Sequence, residues 1–323
     1  GGTVVADLGT VDARAASEYF FALVPRLEPT GSHDRVLLPA VLADNPAAVA
    51  SLLALVRENA RTERIRREAV QWIGLLGDST VIPSLVRLAT DGADRRDGGS
   101  ERGLSGAAVA ALSHLDGHVG IPALMQLARS GPMGTRRNAV FWLGQSGDPR
   151  GIRLLHTVIE DTHEDDAVRK HAIFSLGNSD EVPPSELAYL RAVYARLNHD
   201  VLKESVFQAM SGERAAGGAW LLQRASDAGE SLALRKKALF WSGQRASTST
   251  ADLVSVYRSA SEASLREHAI FVLSQRQDES ATDALMHIAR DDADSRMRGR
   301  ALFWLAQKHD PRVTKLIADL VLK

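Results

Sequence analysis

The chain has no cysteine among its 323 residues. Disulfides, thiolate metal sites and a cysteine nucleophile are therefore excluded. Aromatic residues are scarce, at 5% of the total, and the apolar set is dominated by Ala and Leu, which favour helix. An excess of one charge sign is also missing: 39 basic side chains stand against 40 acidic ones, for a formal net charge of −1. Such a balance creates no global field to draw in nucleic acid or an anionic membrane. No apolar run reaches the roughly 18 residues of a membrane span. GxSxG, GxxxxGK[ST] and a strand-borne GxGxxG are all absent, so there is no nucleophile elbow and no phosphate cradle. What remains, 45% apolar and 24% charged, is the composition of a folded, soluble protein. The first residues are Gly-Gly and not Met, which suits either a cytoplasmic chain or an exported one that has lost an N-terminal signal.

What is present is repetition. A basic pair followed by Ala-x-Phe-Trp-Leu-Gly-Gln recurs, anchored on Ala69, Ala108, Ala139, Ala172, Ser205, Ala238, Ala269 and Ala301. Successive anchors are 39, 31, 33, 33, 33, 31 and 32 residues apart, the signature of a repeat array. The long interval holds a Gly- and charge-rich stretch, so 91–106 is expected to be a mobile inserted loop. Each unit carries two apolar-periodic segments around a turn. In Ser146-Gly147-Asp148-Pro149 the Asp is expected to cap the second helix, with Pro at its first position. Gly77-Asp78 and Asp310-Pro311 repeat that signal. Residues 13–60 read as an N-terminal helical cap, with helices over 13–27, 36–42 and 46–58, preceded by a loose tail over 1–12. Residues 61–323 form the array. The fold expected is all-α, with no strand.

The units VRKHAIFSLGNS, LRKKALFWSGQR and MRGRALFWLAQK resemble bacterial HEAT repeats of the phycobilisome-lyase-like type. The resemblance spans roughly residues 46–323. It implies an α-solenoid, a right-handed superhelix of about eight helix–turn–helix units, with the first helix of each unit lining the concave side. It implies little about function, because such units serve as scaffolds in unrelated proteins.

Counted from the anchor as zero, positions −4, 0 and +4 centre a buried face on the helical wheel. Position +3, which holds Trp72, Trp142, Trp241 and Trp304, and position +1 read as inter-unit core. Position −3 is a basic ladder of Arg66, Arg136, Arg169, Arg235, Arg266 and Arg298, broken by Ser105 and Leu202. With Asp78, Asp148, Asp278 and Asp310 at +9 it suggests structural charge-assisted hydrogen bonds, or else an anion-binding ladder. Position +2 is opposite the buried face and carries Phe141, Phe174, Phe207, Phe240, Phe271 and Phe303. One turn back at −2 are Arg137, Lys170, Lys203 and Lys236, then Glu267 and Gly299, and one turn on at +6 are Gln145, Asn178, Ser211, Gln244, Gln275 and Gln307. These basic, aromatic and amide stripes read either as a structural ladder or as a groove of the kind interface hot spots use.

Enzymatic candidates are thin. His114 and His118 have helical spacing but no accompanying carboxylate ligand motif, and Glu160–Asp166 lacks the ligand spacing of a calcium loop. No inward-facing carboxylate pair recurs. The sequence thus points to a non-enzymatic scaffold, without metal or cofactor, that binds a protein or peptide along its concave face as a monomer. Two rivals stand beside it: a nucleic-acid-binding solenoid of the DNA-glycosylase kind, which the charge balance disfavours, and a chromophore lyase, for which no reactive residue is in sight.

Overall fold

The computed structural model describes residues 9–27, 36–91, 103–178, 182–212, 217–308 and 310–321. Among the described residues there are nineteen α-helices and no strand. The chain divides into two compact units, 1–175 and 176–323.

In the first unit, α1 (Ala13–Leu27), α2 (Leu38–Leu42) and α3 (Ala48–Arg57) precede the paired helices. Their bounds lie within two residues of the expected cap helices. The pairs follow as α4 (Glu63–Leu76) with α5 (Ile82–Asp91), α6 (Leu104–His114) with α7 (Ile121–Ser130), and α8 (Met133–Gln145) with α9 (Pro149–Glu160). Then comes α10 (Asp166–Gly177). First helices stack on first helices, α4 on α6 and α6 on α8, while α5, α7 and α9 form a second layer. The other unit repeats the plan. It contains α11 (Pro184–Tyr194), α12 (Asp200–Met210), α13 (Gly218–Ser226), α14 (Leu232–Gly243), α15 (Thr250–Ser259), α16 (Ala263–Gln275), α17 (Glu279–Asp291), α18 (Ser295–Leu305) and α19 (Pro311–Val321). There α12, α14, α16 and α18 stack in one layer and α13, α15, α17 and α19 in the other. Two layers of antiparallel helix pairs are the arrangement of an α-solenoid.

Sequence sets the helix ends. Asp148 accepts a hydrogen bond from the Arg150 N–H at 2.8 Å, and Pro149 starts α9 where no N–H is needed. The Arg150 guanidinium beside Asp148 holds its carboxyl down to about 2. Asp278 accepts from the Ala281 N–H at 2.9 Å and Asp310 from the Arg312 N–H at 2.9 Å. Gly147 takes a φ of 63°, a left-handed conformation that costs glycine little.

Most of the segment expected to be a mobile loop, 92–102, lies outside the described residues, as do 1–8 of the expected tail. The loop expectation ran too far at its end. Leu104, Ser105 and Gly106 are already helical, and the buried Ser105 hydroxyl donates to the Ala89 carbonyl at 2.8 Å. That bond satisfies an orphan carbonyl at the end of α5.

The basic ladder at −3 does the same in other repeats. The Nε of Arg66, Arg136, Arg169 and Arg235 donates to the carbonyls of Val56, Ala128, Ile159 and Ala225, at 2.8, 3.1, 3.0 and 3.2 Å. Each carbonyl is in the last turn of the preceding helix, the negative end of its dipole. Arg298 donates to the Asp292 carbonyl at 2.8 Å. The outer arms of the guanidiniums then take a carboxylate. Arg136 pairs with Glu164, Arg169 with Asp166 at 3.1 Å, Arg235 with Glu262 at 2.6 Å and Arg266 with Asp292 at 2.7 Å. The ladder's partners are thus carbonyls and connecting-turn acids. The Asp residues at +9 cap helices instead. Two acids of the stretch 160–166, Glu164 and Asp166, serve in these pairs.

Candidate functional site

The expected stripes lie along the first helices, and their side chains do not share one environment. In the first unit Arg137 and Gln145 are half-buried and Lys170 is exposed; Asn178, just inside the second unit, is exposed. Phe141 and Phe174 are half-buried, and Phe141 meets Trp142 edge-on at 5.4 Å. In the second unit Phe240 meets Trp241 edge-on at 5.3 Å, Phe303 meets Trp304 at 5.2 Å, and Phe271 reaches the following helix to touch Trp304 at 5.4 Å. Phe240 and Phe271 are half-buried, and Phe303 is 54% exposed. Gln244, Gln275 and Gln307 are exposed. The tryptophans at +3 are not closed core as the wheel suggests. All four are half-buried, each with part of its surface outside the packed layer.

Phe207 and Lys203 depart from the stripe, and one cause accounts for both. Phe207 has no exposed surface, and its ring packs at 5.2 Å from Tyr194 and 5.8 Å from Trp220. Lys203 is half-buried, with its ammonium 5.1 Å from the centre of the Tyr194 ring. Elsewhere position +5 abuts position +3 of the next first helix: a β-carbon on Gly144 would be 2.6 Å from Ser175 Cβ, and one on Gly243 would overlap Val272 Cγ1. Gly177, also at +5, instead meets Ala209, with its β-carbon 2.5 Å from Ala209 Cβ. Ala209 is at +4 when counted from Ser205.

The fifth repeat therefore counts from Val206, one residue later. Leu202 then falls on the buried −4 row, Phe207 on the buried +1 row and Lys203 on the −3 ladder. Lys203 above Tyr194 reproduces Arg266 above Tyr257, 4.9 Å away, at the same spacing of nine residues. That spacing, and the break at Leu202, are the signals in the sequence that mark the shift.

The shift also interrupts the basic stripe. Glu204 takes the −2 place and pairs with Lys237 at 2.8 Å. Glu267 has the same place two repeats on and pairs with Arg296 at 2.5 Å. Lys236 donates to the Ser264 hydroxyl. Between α16 and α18 these groups frame an open pocket of about 280 Å³, lined by Lys236, Ser264, Glu267, His268, Phe271, Arg300 and Trp304. A second pocket of about 450 Å³ on the other side of Trp304 is lined with Gln275, Gln277, Gln307 and Lys308 among others. Stripe counting missed His268 and Arg300, which are both at −1, where residue type varies from repeat to repeat. Burial, together with the charges of Lys236 and Lys237, lowers the His268 pKa.

Among the described residues no group of three or more His, Cys, Asp or Glu side chains is placed to hold a metal ion. His114 packs edge-on against Trp142 at 5.2 Å, and His118 is 3.6 Å from Asp148. Among the same residues no helix is long and apolar enough to cross a membrane.

Comparison with known proteins places two repeat models on the chain. The model of HEAT repeats matches residues 121–211, and the model of the PBS lyase HEAT-like repeat matches residues 65–91. No curated protein matches the sequence. Among solved structures the chain is similar to human deoxyhypusine hydroxylase in complex with glycerol, at 20% identity over 77% of this chain and 97% of that one, with a TM-score of 0.34. It is also similar to an engineered protein, at 15% identity over 97% of this chain and 90% of that one, with a TM-score of 0.34. The matched segments, 121–211 and 65–91, are thus HEAT repeats of the general and of the PBS-lyase-like kind, set within an array of paired helices.

Proposed function

We propose that the chain is a non-enzymatic HEAT-repeat scaffold that binds a protein or peptide partner along the row of first helices in each unit. The observation that carries this reading is the series of half-open Phe–Trp pairs, Phe141/Trp142, Phe240/Trp241 and Phe303/Trp304. A ring needed only for packing closes completely, as Phe207 does. Rings that keep an open face beside amides and isolated cations offer the anchors that protein interfaces favour. The surface comprises Arg137, Phe141, Gln145, Lys170 and Phe174 in the first unit, and Asn178 at the start of the second. In the second it comprises Lys236, Phe240, Gln244, Phe271, Gln275, Phe303 and Gln307. Nucleic acid fits less well. Glu204 and Glu267 interrupt the basic row, whereas a phosphate backbone rewards an unbroken one.

The test is site-specific photo-cross-linking in cells. p-Benzoylphenylalanine at Phe141, Phe240 or Phe303 should trap a discrete protein adduct, and the same probe at His287, on the second-helix layer, should not. Protein adducts formed only from His287, or nuclease-sensitive adducts formed from the Phe positions, would refute the proposal.

A further inference from the structure

We propose that the pocket between α16 and α18 receives a carboxylate side chain of the partner, seated between Lys236 and Arg300 over the rings of Phe271 and Trp304. This rests on the reading above and makes it more specific.

The charges around the pocket can be followed helix by helix. On α14, Lys237 is committed to Glu204 at 2.8 Å, while Lys236 spends one of its three donors on Ser264. On α16, Glu267 is the acidic group, and Arg296 from α18 takes it at 2.5 Å. The Arg300 guanidinium is 4.0 Å from Glu267 and is exposed. With Glu267 matched by Arg296, Lys236 and Arg300 are surplus cations in the lining of one pocket. His268, in the same lining, has a buried Nε2 without a hydrogen-bond partner. Buried polar atoms are nearly always paired; with the other ring nitrogen bonded to the Lys236 backbone, this one is an acceptor, suited to a main-chain N–H beside the carboxylate and not to the carboxylate itself.

Size and floor narrow the occupant. About 280 Å³ has room for one side chain, and a matched Glu267 on the wall disfavours a doubly charged phosphate. The Phe271 and Trp304 rings, 5.4 Å apart, supply an apolar floor suited to the methylenes of a Glu or to an apolar neighbour of it. Across Trp304, Gln275, Gln277 and Gln307 line the adjoining pocket; Gln275 donates to the Ser274 hydroxyl and Gln307 to the Phe303 carbonyl, each with donor and acceptor capacity left that suits the main chain of the same segment. The occupant is thus an acidic residue flanked by apolar ones, in an extended piece of protein.

The protein labelled with 5-fluorotryptophan gives one ¹⁹F signal for each of its five tryptophans, assigned by single Trp→Phe variants. The probes are acetyl-Leu-Glu-Leu-amide, acetyl-Leu-Gln-Leu-amide and oligothymidylate. The Glu peptide should move the Trp304 signal at concentrations at least about tenfold below those the Gln peptide needs, the loss expected for one charge-assisted contact. Arg300→Gln and Lys236→Gln should each weaken that response about tenfold. Arg300 is exposed, so its variant keeps the native melting temperature and reads binding alone. Equal response to the two peptides, or a response to oligothymidylate in place of the Glu peptide, overturns the proposal. Movement of Trp142 and Trp241 without Trp304 overturns this pocket and leaves the scaffold reading standing. Stillness of all three signals with every probe counts against both.

Discussion

Truncating two phenylalanines that share a motif should have opposite consequences. By sequence alone Phe207 and Phe303 are equivalent, each two residues past an anchor. By structure the first is enclosed by Tyr194 and Trp220, while the second is 54% exposed. Removing the Phe207 ring forfeits roughly 1.5–3 kcal/mol of apolar transfer. A cavity that the surrounding helices only partly refill raises this to about 3–5 kcal/mol. The stacking of the ring against Tyr194 and Trp220 is included in that figure. Phe303→Ala loses about half the transfer free energy and opens no closed void, so about 1 kcal/mol is expected. Phe207→Leu keeps most of the volume and should fall between the two. In thermal melts followed by circular dichroism, Phe207→Ala should lower the midpoint by about 6 °C or more and Phe303→Ala by about 2–4 °C. Equal losses, or a larger one for Phe303, would show that the fifth repeat is not shifted by a residue.

Three further outcomes follow from the packing and the ionic ladder. Gly177→Ala should destabilise by more than about 1–3 kcal/mol, because its β-carbon would overlap the Ala209 carbonyl oxygen, whereas Gly147→Ala, with open space and a φ of 63°, should cost only about 1 kcal/mol by denaturant titration. Arg169→Met keeps the stem and removes the guanidinium that satisfies the Ile159 carbonyl, so it should cost about 2 kcal/mol; a neutral result would demote the ladder to decoration. The imidazole of His268 is held neutral by burial and by Lys236 and Lys237, so the unfolded chain takes up that proton first, near its ordinary value of about 6.5. Stability is therefore lost as pH falls below that value, and the native chain should lose more melting temperature than His268→Gln between about pH 7.5 and about pH 5.5. A steeper loss in the variant would reverse the sign of the argument.

Much of the fold was legible because the repeat restates its own rules. Asp78, Asp148 and Asp310 announce helix starts, and the near-constant spacing of the anchors fixes the pairs. The N-terminal helices emerged from apolar periodicity alone. The fifth repeat was misread for a physical reason: at Val201-Leu202-Lys203 and at Val206-Phe207, neighbouring positions are chemically alike. Either register satisfies the apolar pattern, and only packing against the flanking helices decides between them. The site was less legible still. Whether a Phe at +2 is open or closed depends on what the adjacent helix places beside it. Pairs such as Lys237 with Glu204 join positions 33 residues apart, which no helical wheel drawn for a single helix can show.

The most direct test of the binding surface is hydroxyl-radical footprinting of the chain, free and with the partner trapped through Phe303. Phenylalanine and tryptophan report their own solvent exposure, so the candidate residues are their own probes. On complex formation, oxidation of Phe141, Phe240 and Trp304 should fall several-fold, while exposed Tyr19 and the second-helix residue His287 stay as reactive as in the free chain. Protection centred on His287, with the first-helix rings oxidised as before, would contradict the account.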